Sequence, residues 1–381
     1  MTRLFAGVRR IVVKLGSASV STEDGAPNAA LLASLAADIT LLSERGVETL
    51  IVSSGAVALG RRAIGVERTA SLEEKQAAAA VGQARLMAAW GAAFEPHGKA
   101  VGQMLLTLSD TEDRRRYLNA RGALEALLKA GAVPIINEND SVATAEIRYG
   151  DNDRLGAHAA QMAGADLLIL LTDVDGLYTA DPARGDGELI PRVERVTDEI
   201  YALAGAANAA RGVGSGGMRS KLDAARIAAR AGVATVIARG VNEQPLLRLE
   251  TGAPHTRVEA ETAPGAARAR WIAGRQKSSG VLTLDMGAAA AVAGGASVLA
   301  AGVVSVDGAF TRGDAVRLIG PNGVYLGVGL VAYEADEVRA IAGLRSEAIE
   351  GVLGYRRRPA VVHRDDLALA DPLQLSEGGN A

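Results

Sequence analysis

Arg10-Ile11-Val12-Val13-Lys14-Leu15-Gly16-Ser17 is the first regular stretch of the chain: an apolar run with a lysine near its end, then a glycine and a hydroxyl. A strand with one wet face alternates apolar and polar residues. Ile11, Val12 and Val13 do not alternate, so helices are expected to cover both faces of this strand. The same texture returns in Thr49-Leu50-Ile51-Val52, in Val101 to Leu106, in Val133-Pro134-Ile135-Ile136, in Leu167 to Leu171 and in Ala234-Thr235-Val236-Ile237. Longer segments with helical spacing separate these runs, around Asn28–Arg45, Leu72–Phe94 and Leu118–Lys129. Such alternation predicts an α/β fold, a three-layer αβα sandwich around a mainly parallel sheet. In sheets of this kind ligands gather where strands end and loops turn into helices.

The texture changes near Lys277. Val281-Leu282-Thr283-Leu284, Val303 to Val306, Ala315-Val316-Arg317-Leu318 and Val328 to Ala332 read as short strands between glycine turns, interrupted by a helical piece at Met286–Ala293. The expected organisation is an α/β domain over 1–260, a linker over 261–276 with scattered arginines, a small β-barrel domain over 277–366 and a polar tail over 367–381. At 381 residues the chain exceeds what one core normally serves. Aromatics are 3% of it, which leaves Ala, Val, Leu and Ile to fill the interior.

The formal net charge of −3 argues against a protein built to grip nucleic acid through phosphates. Between Lys277 and Val361 basic and acidic side chains balance, a poor footprint for RNA. With no cysteine there is no thiolate nucleophile, disulfide or thiolate metal site. The four histidines, His97, His158, His255 and His363, fall at no metal-ligand spacing, so no protein-held metal is expected. No apolar run approaches the roughly 18 residues of a membrane span, and a soluble, cytoplasmic protein is expected.

Five polar stretches stand out, most of them directly after apolar strands. In the first, Lys14 precedes Gly16-Ser17: either a strand-end lysine in water or a cation aimed at phosphate across a close glycine approach. Ser53-Ser54-Gly55-Ala56 offers either a helix cap or free N–H groups for an anion. Asn137-Glu138-Asn139-Asp140, with Gly150-Asp151-Asn152-Asp153 opening a helix, exceeds what capping needs and supplies donors and acceptors for a polar substrate. It fails as a calcium loop, because Leu155 stands where a ligand is required. Thr172-Asp173-Val174-Asp175-Gly176 places acids at a strand tip, either beside a nucleotide or simply forming a turn. Gly212-Val213-Gly214-Ser215-Gly216-Gly217-Met218-Arg219-Ser220-Lys221 matches a dinucleotide fingerprint only by chance and is not a P-loop, since Met218 occupies the lysine position. Its Arg219 and Lys221 lie in the first turn of a helix, where cations are disfavoured by about 0.3–1 kcal/mol each unless an anion is bound. Lys14 and Lys221 with these glycine turns suit phosphoryl transfer, which needs positioning and charge neutralisation rather than a covalent nucleophile.

The phrases VVKLGS, SSGA, VGQMLLT, YLNAR, PIINENDSVATAEI, GDND, LLTDVDGLYTADP and SGGMRSK, in this order, resemble the glutamate-phosphorylating members of the amino-acid kinase family that carry a C-terminal PUA domain. The resemblance runs from Val12 to about Asp366. It implies the amino-acid kinase fold, a PUA-like barrel, and transfer of phosphate from ATP to the side-chain carboxylate of L-glutamate, the first step toward proline. It implies that Lys14 and Lys221 neutralise the migrating phosphoryl group while Asp153 holds them, and that Ser54, Asp140 and Asn152 bind glutamate. It further implies that Lys14, Thr172, Asp173, Ser215, Gly216, Gly217, Met218, Arg219, Ser220 and Lys221 bind ATP, with Mg2+ bridging the phosphates. A homo-oligomer, inhibition by proline and hand-off to glutamyl phosphate reductase come with it. An acetylglutamate- or aspartate-type acyl phosphate kinase, or RNA binding through the PUA-like domain, are the alternatives. Ser215 and Ser220 stand where threonines are common in the family; the hydroxyl is kept.

Overall fold

The computed structural model describes residues 4–22, 24–66, 69, 71–143, 151–180, 185, 187–206, 217–240, 243–273, 278–355 and 359–370. Two compact units divide the chain, Met1–Pro264 and Gly265–Ala381.

In the first unit the order is β1 (Arg10–Leu15), α1 (Ser17–Val20), α2 (Ala29–Glu44), β2 (Glu48–Ser53), α3 (Ala56–Ala63), α4 (Leu72–Phe94), β3 (Val101–Leu106), α5 (Leu108–Glu112), α6 (Arg114–Lys129), β4 (Val133–Glu138), α7 (Asn152–Ala163), β5 (Leu167–Thr172), β6 (Arg192–Val193), α8 (Asp198–Ala206), α9 (Met218–Arg230), β7 (Ala234–Arg239), α10 (Pro245–Glu250) and β8 (His255–Val258). Among the described residues the strands form one sheet in the order β3-β4-β2-β1-β5-β7-β8-β6. From β3 through β7 every pairing is parallel; β8 runs antiparallel to β7.

Two apolar layers sandwich this sheet, and strand alternation sorts residues between them. Ile11, Val13 and Leu15 of β1 face α2 and α4, packing with Leu32, Leu35, Leu86 and Trp90. Val12 faces the other side, with Leu155 of α7 and Leu222 of α9. Arg10 anchors the entry of β1, pairing with Glu48 of β2 and Glu125 of α6, each at 2.7 Å. The helix periodicity over Leu72–Phe94 is met in full: Ser71 closes a capping box with Glu74 at its start.

Helices α3 and α4 touch backbone to backbone. A Cβ on Gly60 would sit 1.7 Å from the Ala78 carbonyl oxygen, and one on Gly82 1.7 Å from that of Ala56. Only glycine permits this crossing, and α3 begins directly after the loop that carries Ser54.

The second unit holds α11 (Pro264–Ala273), β9 (Gly280–Leu284), α12 (Met286–Ala293), β10 (Val298–Leu299), β11 (Val303–Gly308), β12 (Ala315–Ile319), β13 (Tyr325–Val331), α13 (Ala335–Ile341), α14 (Ile349–Leu353) and β14 (Ala360–Leu369). Its strands form a mixed sheet, β10-β14-β13-β12-β9-β11, around Leu282, Val316, Tyr333 and Val362. Two expectations differ here. The stretch 261–276 contains a helix, and Ile272 of that helix is buried against Ala315, Leu330 and Ala368. Residues 367–369, expected in the tail, extend β14, because Leu367 and Ala368 still have an interior to enter.

Candidate active site

Lys14 lies one alternation beyond Val12, on the sheet face toward α7 and α9, and is only 4% exposed. Its stem lies against α7 at Gly156, where a Cβ would come within 3.5 Å of the Lys14 Cβ. Helix α7 is capped by Asp151, whose Oδ1 accepts from the Asp153 N–H at 2.8 Å. That cap sets the first turn so that Asp153, fully buried, points at the end of β1.

Lys14 Nζ stands 2.5 Å from Asp153 Oδ1, and Lys221 Nζ 3.1 Å from Oδ2. Ser220 Oγ also donates to Oδ2, at 2.8 Å. Burial alone would push the Asp153 carboxyl up, but the charges of Lys14 and Lys221, with hydrogen bonds from Lys14 and Ser220, outweigh it and hold the group below the ordinary carboxylate value. Among these three side chains there is one more cation than anion. Lys221, 4% exposed, sits in the first turn of α9, whose N-cap Gly217 offers no side-chain acceptor. The positive end of the α9 dipole adds to the lysine charge, so this buried corner favours an anion.

The loop after β2 does not use its serines as caps. The N-cap of α3 is Gly55, at φ 111°, with no side-chain cap bond. That positive φ needs glycine, and it frees both hydroxyls for longer-range partners. Ser53 Oγ accepts from Trp90 Nε1 at 3.1 Å. Ser54 Oγ accepts from Asn152 Nδ2 at 2.6 Å, and the same Nδ2 reaches Asn137 Oδ1 at 2.9 Å. Asn137 in turn donates from Nδ2 to Gln83 Oε1 at 2.9 Å. Next to this chain lies a cavity of about 310 Å³ lined by Gln83, Glu138, Asn139, Asp140 and Ser141 together with Ala56 and Leu105.

Thr172 and Asp173 stand at the exit of β5, with Thr172 Oγ1 donating to Asp173 Oδ1 at 3.1 Å. Nearby, Arg239 at the end of β7 forks onto Asp175, at 2.8 and 3.4 Å, and its hydrogen bond holds the Asp175 carboxyl below the ordinary range. On α9, Arg219 lies 6.0 Å from the Tyr201 ring centroid, a cation–π contact, and is otherwise exposed. Gly217 and Met218 are half-buried at the start of α9. Ser215 and Gly216 lie outside the described residues.

The structure thus joins Lys14, Asp153, Ser220 and Lys221 in one contact set, and Ser54 with Asn152 in a second. These sets adjoin through Asn152 and Asp153, consecutive in α7. Asp140 faces the cavity beside the second set. Sequence reading passed over Asn137 as a site residue, although it quoted the motif, and overlooked Gln83 entirely. The available signal was the stripe Ala79, Gln83, Leu86, Trp90, Phe94, in which one position is polar.

The amino acid kinase family profile matches residues 9–239 and the PUA domain profile residues 280–353. A protein named glutamate 5-kinase from Caulobacter vibrioides (strain NA1000 / CB15N) is 54% identical over 369 residues, covering 96% of this chain and 98% of that one. A glutamate 5-kinase from Paramagnetospirillum magneticum is 52% identical over 366 residues, with the same coverage. Glutamate 5-kinase 1 of Mesorhizobium japonicum is 52% identical over 364 residues, covering 95% of this chain and 96% of that one. With the lysine-flanked carboxylate at the end of β1 and these relatives matched almost end to end, the chain belongs to the amino acid kinase family, with a PUA domain following its kinase domain.

Proposed function

We propose that the enzyme transfers the γ-phosphoryl group of ATP to the side-chain carboxylate of L-glutamate, giving ADP and L-glutamyl 5-phosphate, the opening step of proline formation. The observation that carries this reading is the pair of buried ammonium groups, Lys14 and Lys221, held on either oxygen of Asp153. A carboxylate with the usual glutamate pKa of about 4.3 is already ionised at neutral pH, so the attack needs no general base. One carboxylate oxygen bonds to the γ-phosphorus as the bond to the β–γ bridging oxygen breaks, and the electron pair leaves on ADP. Charge gathers on the phosphoryl oxygens in between, and two fixed cations answer it. Asp153 acts through the lysines, as their positioning residue.

In this reading Ser54, Asp140 and Asn152 hold glutamate. Lys14, Thr172, Asp173, Ser215, Gly216, Gly217, Met218, Arg219, Ser220 and Lys221 hold the nucleotide. Magnesium enters on the phosphates of ATP as part of the substrate. Among the described residues no group of three or more His, Asp or Glu side chains is placed to hold a metal ion. Three further proposals follow from the resemblance. Proline, which shares the zwitterionic end of glutamate, would compete at the glutamate site. The acyl phosphate, labile in water, would pass to a glutamyl phosphate reductase. The chain would assemble as a homo-oligomer. Among the described residues no helix is long and apolar enough to cross a membrane.

The test is ADP release with glutamate, aspartate, acetylglutamate and carbamate in turn. Glutamate should be preferred, and a folded Lys221→Ala should lose about a thousandfold in kcat. Near-normal turnover in that variant would refute the assigned role of Lys221.

A further inference from the structure

Gln83 lines the cavity beside the Ser54–Asn152 pair, yet it sits on α4, far in sequence from every polar turn. Its side chain is more than nine-tenths buried, at 8% exposure. The sense of its amide is set by a backbone group. The Glu138 N–H donates to Asn137 Oδ1 at 2.9 Å, which leaves Asn137 Nδ2 as the donor toward Gln83 at 2.9 Å. Gln83 must therefore present Oε1 to Asn137, and Nε2 is turned elsewhere. Among the described residues that Nε2 has no hydrogen-bond partner. A buried N–H left unmet is costly, and the cost disappears when an acceptor arrives.

The other polar groups at this cavity include two acids, Glu138 and Asp140. A ligand suited to it carries a cation for the acids and, beside that cation, an acceptor for the amide. That is the α-ammonium and α-carboxylate end of an amino acid. Resting on the proposed glutamate reaction, we infer that Gln83 Nε2 donates to the substrate α-carboxylate, which makes Gln83 a specificity-determining residue at the end of glutamate remote from phosphoryl transfer. The same side chain holds Asn137, which receives Asn152 Nδ2. Recognition of the amino-acid end is thereby tied to the residue preceding Asp153.

Gln83→Glu isolates the donor. It retains an oxygen to accept from Asn137 but replaces the N–H with a second oxygen. The experiment measures KM for glutamate and for ATP, together with inhibition by 4-aminobutyrate, which keeps the ammonium and the reacting carboxylate and lacks the α-carboxylate. The expected result is a rise of roughly 10- to 100-fold in KM for glutamate, with KM for ATP and the inhibition constant of 4-aminobutyrate each moving by less than about threefold. Gln83→Met, which removes both polar atoms at similar volume, is measured in parallel and should also lose the preference for glutamate over 4-aminobutyrate. Equal weakening of both ligands, or an unchanged KM for glutamate, overturns the assignment. Absence of glutamate-dependent ADP release in the unmodified enzyme would instead overturn the underlying reaction, so the two failures are distinct.

Discussion

Lys221 Nζ reaches Asp153 Oδ2 at 3.1 Å across 68 positions of sequence, and the same carboxylate holds Lys14 through its other oxygen. Removing one partner of a buried ion pair is strongly destabilising, typically by about 3–5 kcal/mol, because the remaining charge is left without compensation. Asp153→Asn keeps the shape and strands two cations together. We expect reduced stability at neutral pH and a thermal-unfolding midpoint that ATP raises more in the variant than in the unmodified enzyme, since phosphate then supplies the missing anion. Equal ATP-induced shifts would rule out this coupling. The pH dependence has a definite sign. The folded Asp153 titrates below its ordinary 3.8, so its contribution is complete above about pH 3.8 and is lost as pH falls through the folded value. The stability gap between the two proteins should therefore be flat from neutral pH to about pH 5 and narrow only in stronger acid, as read by denaturant titration.

Asp38 shows the opposite sign. Buried on α2, it accepts from the N–H groups of Leu246 at 2.9 Å and Leu247 at 3.3 Å, capping α10 from another part of the chain. Burial raises its carboxyl above the ordinary value despite these two donors. An acid raised on folding weakens the fold as pH climbs from its unfolded value through its folded one. Asp38→Asn retains an acceptor and loses the ionisation, so it should equal or exceed the unmodified enzyme at neutral pH. Asp38→Ala should lose about 1–2 kcal/mol with the cap. An asparagine variant as unstable as the alanine variant would show that the charge itself is needed.

Gly82 and Gly91 lie on the same helix and predict opposite outcomes. A methyl at Gly82 meets the Ala56 carbonyl, whereas at Gly91 nothing lies within 4 Å. Gly82→Ala should lose about 3 kcal/mol or more by forcing α3 from α4, and should raise KM for glutamate, because α3 follows directly from Ser54. Gly91→Ala should gain about 0.5–1 kcal/mol through helix propensity alone. Comparable unfolding midpoints for the two variants would contradict the close crossing.

Local chemistry was enough to place most of the elements that position the site. The helix Leu72–Phe94 and the buried strands were legible because periodicity and apolar runs are properties of neighbouring residues. The α11 helix was missed even though Pro264 stands at its first position, a common helix-start signal. Its buried Ile272 depends on a core built from β12, β13 and β14.

By itself the sequence determined that lysine, serine, Asx and glycine turns would sit at the exits of buried parallel strands, since apolar runs and turn residues dictate those exits locally. Only the tertiary structure decided which of them meet. The strand order puts β1 between β2 and β5, bringing Lys14 under the first turn of α7 and within reach of α9. It also decided that Ser54 bonds Asn152 rather than capping α3, that Gln83 lines the cavity beside that pair, and that Asp38 caps a distant helix. Each of these pairings joins groups remote in sequence, and a polar side chain carries no local mark of the partner that burial will give it.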